Sequence, residues 1–120
     1  MRFNGPITLA DSEPEPDIAI VRLPESAYFE RHPWAADIYW IVDVAKSSLK
    51  TDRDLKAEIY AIAGIPEYWL LEHLVGQRLT VFSTPQAGHY TEEQTLGTGA
   101  IAPLAFPDVK VSVERLLIQA

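Results

Sequence analysis

Two aspartates occupy positions where a carboxylate is unusual. Asp17 opens a short apolar segment, and Asp43 lies near the end of the most apolar segment of the chain, 26 positions later. A buried carboxylate destabilises the folded state unless it is paired, hydrogen-bonded or bound to a metal. Paired strands could bring both acids to one sheet edge, where carboxylate oxygens suit Mg²⁺ or Mn²⁺. The alternative is structural, with both aspartates accepting hydrogen bonds at strand ends.

A short basic stretch follows the second aspartate. Lys46, Lys50, Arg53 and Lys56 fall within eleven residues that contain only two acids, so the stretch carries a local charge of +2. A phosphate group would be attracted to this part of the chain. The alternative is an ordinary solvated helix face, on which Asp52 and Lys56 form a pair at i, i+4 spacing.

The composition limits the remaining possibilities. The 120 residues suffice for one domain, and the net charge of −7 is opposite to that of a general electrostatic nucleic-acid binder. The absence of cysteine excludes disulfides, thiolate metal sites and a cysteine nucleophile. The three histidines lack metal-ligand spacing. With no segment that resembles a signal peptide or a membrane span, we expect a cytoplasmic protein.

The hydrophobic pattern predicts the elements that position these residues. A strand is expected at 38–44, and a helix from Thr51 to Ala63 with Thr51 as its N-terminal cap. The apolar residues of the helix recur at i, i+4, i+7 and i+8, which predicts its buried face: Leu55, Ile59, Ile62 and Ala63. The chain before residue 17 is rich in proline and predicts an extended arm or a sheet edge.

Short apolar runs separated by turns predict the other strands. They lie at 17–22, 67–72, 79–83, 89–96 and 109–113. The runs between 67 and 96 predict an antiparallel meander. A strand–helix–strand unit flanked by antiparallel strands predicts an α/β or α+β fold in a single domain of residues 1–120.

The order of four segments is more specific than any of them alone. They are Pro14–Val21, Trp40–Leu49, Asp52–Lys56 and Tyr60–Trp69. Together they resemble a restriction-endonuclease family of unknown function within the PD-(D/E)xK nuclease superfamily. The likeness runs from about Pro6 to the C-terminus, and its most distinctive part is the Ala-Gly-Ile-Pro-Glu-Tyr-Trp run. The resemblance implies a restriction-endonuclease-like mixed sheet with one central helix.

The resemblance also implies a role for each acidic residue and for one backbone oxygen. Asp17 resembles the aspartate of the "PD" element, and Asp43 resembles the acid of the "(D/E)xK" element, where the family usually has glutamate. The backbone carbonyl of Val44 would be the third protein oxygen on the metal. These roles imply a site for Mg²⁺ or Mn²⁺.

The lysine of the "(D/E)xK" element is not at its usual position. Ala45 occupies that position, and Lys56 resembles a lysine that has migrated to the following helix, with Lys46 as the competing candidate. The implied activity is metal-dependent hydrolysis of DNA, with Lys46, Lys50 and Arg53 contacting the nucleic acid.

Family members normally carry an additional helix and a hairpin before this region. The chain therefore resembles an N-terminally truncated member. Either catalysis is lost, or a partner subunit completes the fold, or another residue substitutes, and a homodimer is expected. The alternative is a catalytically inactive homologue that acts as a dimeric binding protein.

Overall fold

The computed structural model describes residues 2–10, 12–45, 49–73 and 77–119. One sheet contains six strands in the order β1 to β6, which are Arg2–Phe3, Ile18–Val21, Ile38–Val44, Glu67–Glu72, Arg78–Gln86 and His89–Leu96. Helix α1 spans Lys50–Ile62, and helix α2 spans Val113–Gln119. A second small sheet pairs β7, Ala100–Ile101, with β8, Val111–Ser112. Within the described part of the chain, no helix is both long and apolar enough to cross a membrane.

The sheet is mixed because one of its connections passes through a helix. Strands β3 and β4 are parallel, with Asp43 opposite Leu70, and α1 connects them. All other neighbouring strands are antiparallel, including the meander formed by β4, β5 and β6. The predicted α+β fold with a mixed sheet, one central helix and a meander is therefore confirmed, and it fits a restriction-endonuclease-like architecture.

Apolar residues cover both faces of the sheet. Along β4, Tyr68 and Leu70 pack in the cluster beneath α1, whereas Trp69 and Leu71 pack in the cluster beneath α2. Alternate residues of a strand point to opposite faces, so a continuous apolar run marks a strand that is buried on both sides. Asp43 shares the α1 face with Ile41, which places its carboxylate between the sheet and the helix.

Two predictions about α1 are wrong. The helix begins at Lys50 and receives no side-chain cap, so Thr51 lies inside it. Leu55 and Ile62 of the predicted buried face are 57% and 64% exposed. The predicted Ile59 and Ala63 do pack against the core. The side of the helix toward the sheet also includes residues at i, i+3, i+4, i+7 and i+8, namely Arg53, Lys56, Ala57, Tyr60 and Ala61. Basic side chains occupy this face because carboxylates of the sheet lie opposite them.

The end of the chain also differs from the prediction. The strand expected at 109–113 is reduced to β8, and a helix follows it directly. Ser112 caps the N-terminus of this helix, since the backbone N–H of Arg115 donates to its Oγ at 3.4 Å. Val113 and Leu117 are buried on one helix face, and their spacing of four residues suits a helix better than a strand.

Candidate metal-binding and catalytic site

Asp17 and Asp43 meet at one edge of the sheet. Asp17 directly precedes β2, and Ile18 pairs with Val42 of the antiparallel neighbour β3. This register brings each acid to the end of its strand at the same level. The backbone N–H of Asp17 donates to Asp43 Oδ1 at 2.8 Å, and the N–H of Val44 donates to Asp17 Oδ2 at 2.7 Å. The pair is therefore held by reciprocal hydrogen bonds.

Asp43 is a buried carboxylate with a cation beside it. Its side chain is 3% exposed, and Lys56 Nζ lies 3.9 Å from its Oδ2. Burial raises the pKa of Asp43, while the N–H of Asp17 and the Lys56 ammonium act to lower it. The negative charge of Asp17 raises it further. Burial and the charge of Asp17 thus act against ionisation of Asp43, and the Lys56 ammonium acts in its favour.

Two buried tyrosines complete the surroundings of Asp43. The hydroxyl of Tyr68 donates to Asp43 Oδ2 at 3.2 Å. Burial raises the pKa of Tyr68 and of Tyr60, and the charge of Asp43 raises both further. Both hydroxyls therefore stay protonated at neutral pH, and the hydroxyl of Tyr68 is a permanent donor to the carboxylate.

Lys56 reaches this site from the sheet-facing side of α1. The expected pair with Asp52 is not among the ion pairs of the described residues, since the ammonium lies beside Asp43. Its side chain is 44% exposed, so the ammonium borders both the buried acid and solvent. Lys50, one and a half turns earlier, is 80% exposed and lies 3.7 Å from Asp54 Oδ2. Lys56 and the two aspartates are thus brought together, whereas Lys50 projects into solvent.

Arg53, another of the predicted basic residues, pairs with glutamates of the sheet and not with the two aspartates. The guanidinium of Arg53 contacts Glu93 Oε2 of β6 at 2.6 Å and Glu72 Oε1 of β4 at 3.6 Å. Its side chain is only 18% exposed. Lys46 lies outside the described residues. Its proposed role in catalysis or DNA binding stays a prediction.

The donors at this edge fit a hard divalent cation. In the described ranges, no group of three or more His, Cys, Asp and Glu residues is arranged to hold a metal ion. Asp17 and Asp43 supply carboxylate oxygens, and a carboxylate oxygen that accepts one hydrogen bond keeps a lone pair with which it can bind a cation. The N–H of Val44 points at Asp17. The carbonyl of an extended residue points to the same side as its N–H, so we expect this oxygen to complete a three-oxygen set suited to Mg²⁺ or Mn²⁺.

A comparison with known families bears on this site. The family model of Uma2, described as "Putative restriction endonuclease", matches residues 1–114 of the chain. The chain belongs to the Uma2 family. No curated protein matches the chain. Membership supports a nuclease-like function for this Uma2 chain, and the family match names no catalytic residue.

Sequence reasoning did not find the tyrosines or the partners of Arg53 in this Uma2 chain. Tyr68 had a signal, because it belongs to the distinctive Ala-Gly-Ile-Pro-Glu-Tyr-Trp run and lies in β4, the strand parallel to β3. The roles of Glu72 and Glu93 had no signal, since residues 40 positions apart meet only when α1 packs across the meander.

Proposed function

We propose that this Uma2 chain is a divalent-metal-dependent endonuclease that hydrolyses phosphodiester bonds in DNA. The observation that carries the proposal is the convergence of Asp17, Asp43 and Lys56 at one sheet edge, joined by contacts of 2.7–3.9 Å. A buried carboxylate, with an exposed carboxylate and a half-exposed ammonium beside it, suits the binding of a cation and of the anion that the cation attracts.

Each residue has a distinct role in this proposal. Asp17, Asp43 and the carbonyl of Val44 would hold Mg²⁺ or Mn²⁺. When bound, the ion polarises the scissile phosphate and lowers the pKa of a water molecule. The ammonium of Lys56 would stabilise negative charge that develops on the phosphate, from a position that borders solvent. Tyr68 keeps the carboxylate of Asp43 in one orientation through its hydrogen bond to Oδ2.

DNA would approach a chain whose overall charge repels it. The net charge is −7, so attraction must come from the bound metal and from a few local cations. Lys50 is well exposed near the start of α1 and would contact a phosphate, together with Lys46 and Lys56. A homodimer would offer two such sites to a duplex.

Titration calorimetry with Mn²⁺ tests the metal site. The wild type should bind Mn²⁺, and Asp43→Asn, which removes the charge but keeps the shape of the side chain, should lose that binding. Asp108→Asn removes one exposed negative charge elsewhere and serves as the control. Equal binding by wild type and Asp43→Asn would remove Asp43 from the site.

Nicking of supercoiled plasmid tests the chemistry. Lys56→Ala should slow cleavage by about 10² to 10³-fold, the usual effect of losing one group that stabilises developing charge. Mn²⁺ binding should persist in this variant, because the ammonium is not a ligand. Lys110→Ala, which removes an exposed lysine outside the site, is the matched control. Cleavage by Lys56→Ala at the wild-type rate would exclude Lys56 from the mechanism.

One observation favours a second function. Only two carboxylates converge in the described part of the site, and both oxygens of Asp43 already accept hydrogen bonds. A catalytically inactive homologue that acts as a dimeric binding protein would have the same arrangement. The absence of Mn²⁺ binding together with a dimer in sedimentation would support this alternative.

A further inference from the structure

Arg53 is enclosed rather than presented to solvent. Its side chain is 18% exposed, its Nη2 lies 2.6 Å from Glu93 Oε2, and its guanidinium carbon lies 5.5 Å from the centre of the Phe82 ring. A DNA phosphate would have to compete with Glu93 for this guanidinium. The contacts therefore argue for a role inside the protein.

The guanidinium connects α1 to three strands of the sheet. Glu93 belongs to β6, Phe82 to β5 and Glu72 to β4. Glu72 is itself fixed, because it accepts hydrogen bonds from Arg78 at 2.9 Å and from Thr80 Oγ1 at 3.1 Å. Arg53 thus brings the first half of the helix within ion-pair distance, 3.6 Å, of a buried carboxylate that is itself held in place.

Lys56 depends on the placement of this helix. It lies three residues after Arg53, so both side chains point toward the sheet. Lys56 Nζ lies 3.9 Å from Asp43, on a flexible stem that is 44% exposed. An ion pair of that length and exposure is too weak to fix its own geometry. A small shift or rotation of α1 would carry the ammonium away from the carboxylate.

We infer that Arg53, held by Glu72 and Glu93, is a positioning residue that sets the location of Lys56 over Asp43. This inference rests on the proposed nuclease function. It reassigns Arg53 from contacting DNA to anchoring α1, and it leaves Lys50 and Lys46 as candidate phosphate contacts.

Plasmid-nicking kinetics on the full chain distinguish anchoring from phosphate binding. Arg53→Gln should lower kcat about 10 to 100-fold, as expected for a misplaced catalytic group, with KM and its salt dependence unchanged. Arg53→Lys should not restore kcat, since an ammonium cannot replace the planar fork that spans Glu72 and Glu93. A raised KM with a reduced salt slope, corrected by Arg53→Lys, would overturn the inference in favour of phosphate binding.

A double-mutant cycle separates positioning from general loss of structure. If Arg53 acts through Lys56, then Arg53→Gln should change kcat no further in a Lys56→Ala background. An equal loss in both backgrounds would contradict the inference. Glu93→Gln, which removes the more exposed partner, should lower kcat in the same direction by a smaller factor, and it is available if Arg53→Gln does not fold.

Amide hydrogen exchange tests this inference independently of the proposed function. If the wild type cleaves no DNA with any divalent metal, the proposed function fails. The anchoring is then read from amide exchange in 50–62, which Arg53→Gln should accelerate and Lys110→Gln should not. Unchanged exchange of α1 in Arg53→Gln would refute the anchoring on its own.

Discussion

Substitutions that neutralise Asp43 should separate the effect of its negative charge on stability from the effect of its hydrogen bonds. The carboxylate is 3% exposed, and burial raises its pKa, so its charge disfavours the folded state when no metal is bound. Asp43→Asn removes that charge. The remaining oxygen can still accept from the N–H of Asp17, and the new amide can donate to the Tyr68 hydroxyl, which accepts as well as it donates.

The magnitude follows from which groups keep a partner. Asp43→Asn leaves both neighbours hydrogen-bonded, and Lys56, at 44% exposure, can turn to water. We therefore expect the free energy of unfolding to stay within about 1 kcal/mol of the wild type, on the more stable side. Asp43→Ala leaves the N–H of Asp17 and the hydroxyl of Tyr68 without an acceptor, which should lower the free energy of unfolding by at least about 2 kcal/mol.

Urea denaturation at pH 7, with and without Mn²⁺, measures both effects. In the presence of a metal chelator, Asp43→Asn should be the most stable protein, followed by the wild type and then by Asp43→Ala. With Mn²⁺ at one hundred times its dissociation constant, the wild type alone should gain about 2.7 kcal/mol. The reasoning is refuted if Asp43→Asn unfolds as readily as Asp43→Ala in chelator. An equal gain with Mn²⁺ in the wild type and Asp43→Asn would refute Asp43 as a ligand.

Three further outcomes are expected. Burial raises the pKa of Glu67 above its ordinary 4.5, so the wild type should lose stability relative to Glu67→Gln as the pH rises from the unfolded-state pKa through the raised folded-state pKa; urea denaturation from about pH 4 to pH 8 would contradict this if the difference stayed constant. Tyr90→Phe removes the 2.9 Å bond to the Ile65 carbonyl and should lower the free energy of unfolding by about 1 kcal/mol; an unchanged melting temperature in calorimetry would contradict this. Sedimentation should show a homodimer, and a single species of monomer mass would count against it.

The meeting of the two aspartates could be predicted because strand pairing is regular. Asp17 and Asp43 each adjoin an apolar run, and antiparallel pairing of those runs brings their ends together. The parallel arrangement of β3 and β4 likewise follows from the helix between them. In both cases, the apolar runs locate the strands, and the type of connection between them determines whether they pair parallel or antiparallel.

The orientation of α1 could not be predicted because apolar residues lie on more than one of its faces. Leu55 and Ile62 were expected to be buried, yet they are exposed, and the helix turns Arg53 and Lys56 toward the sheet. The partners that decide this orientation are carboxylates far away in the chain, so the stabilising contacts exist only after the meander has formed. The spacing of apolar residues along a helix predicts which face is buried by apolar contacts, but it does not predict buried ion pairs.

Strand β6 restricts how two copies of this chain could associate. It is the outermost strand of the six, and within the described residues nothing pairs with its free side. If the β6 strands of two copies paired antiparallel over their greatest length, the two-fold axis between them would place one glutamate opposite the same residue of the other copy. That glutamate would be either Glu92 or Glu93. Because like charges that face each other repel, these glutamates disfavour edge-to-edge association of two sheets through β6. A homodimer of this chain should therefore form through another surface and leave β6 exposed.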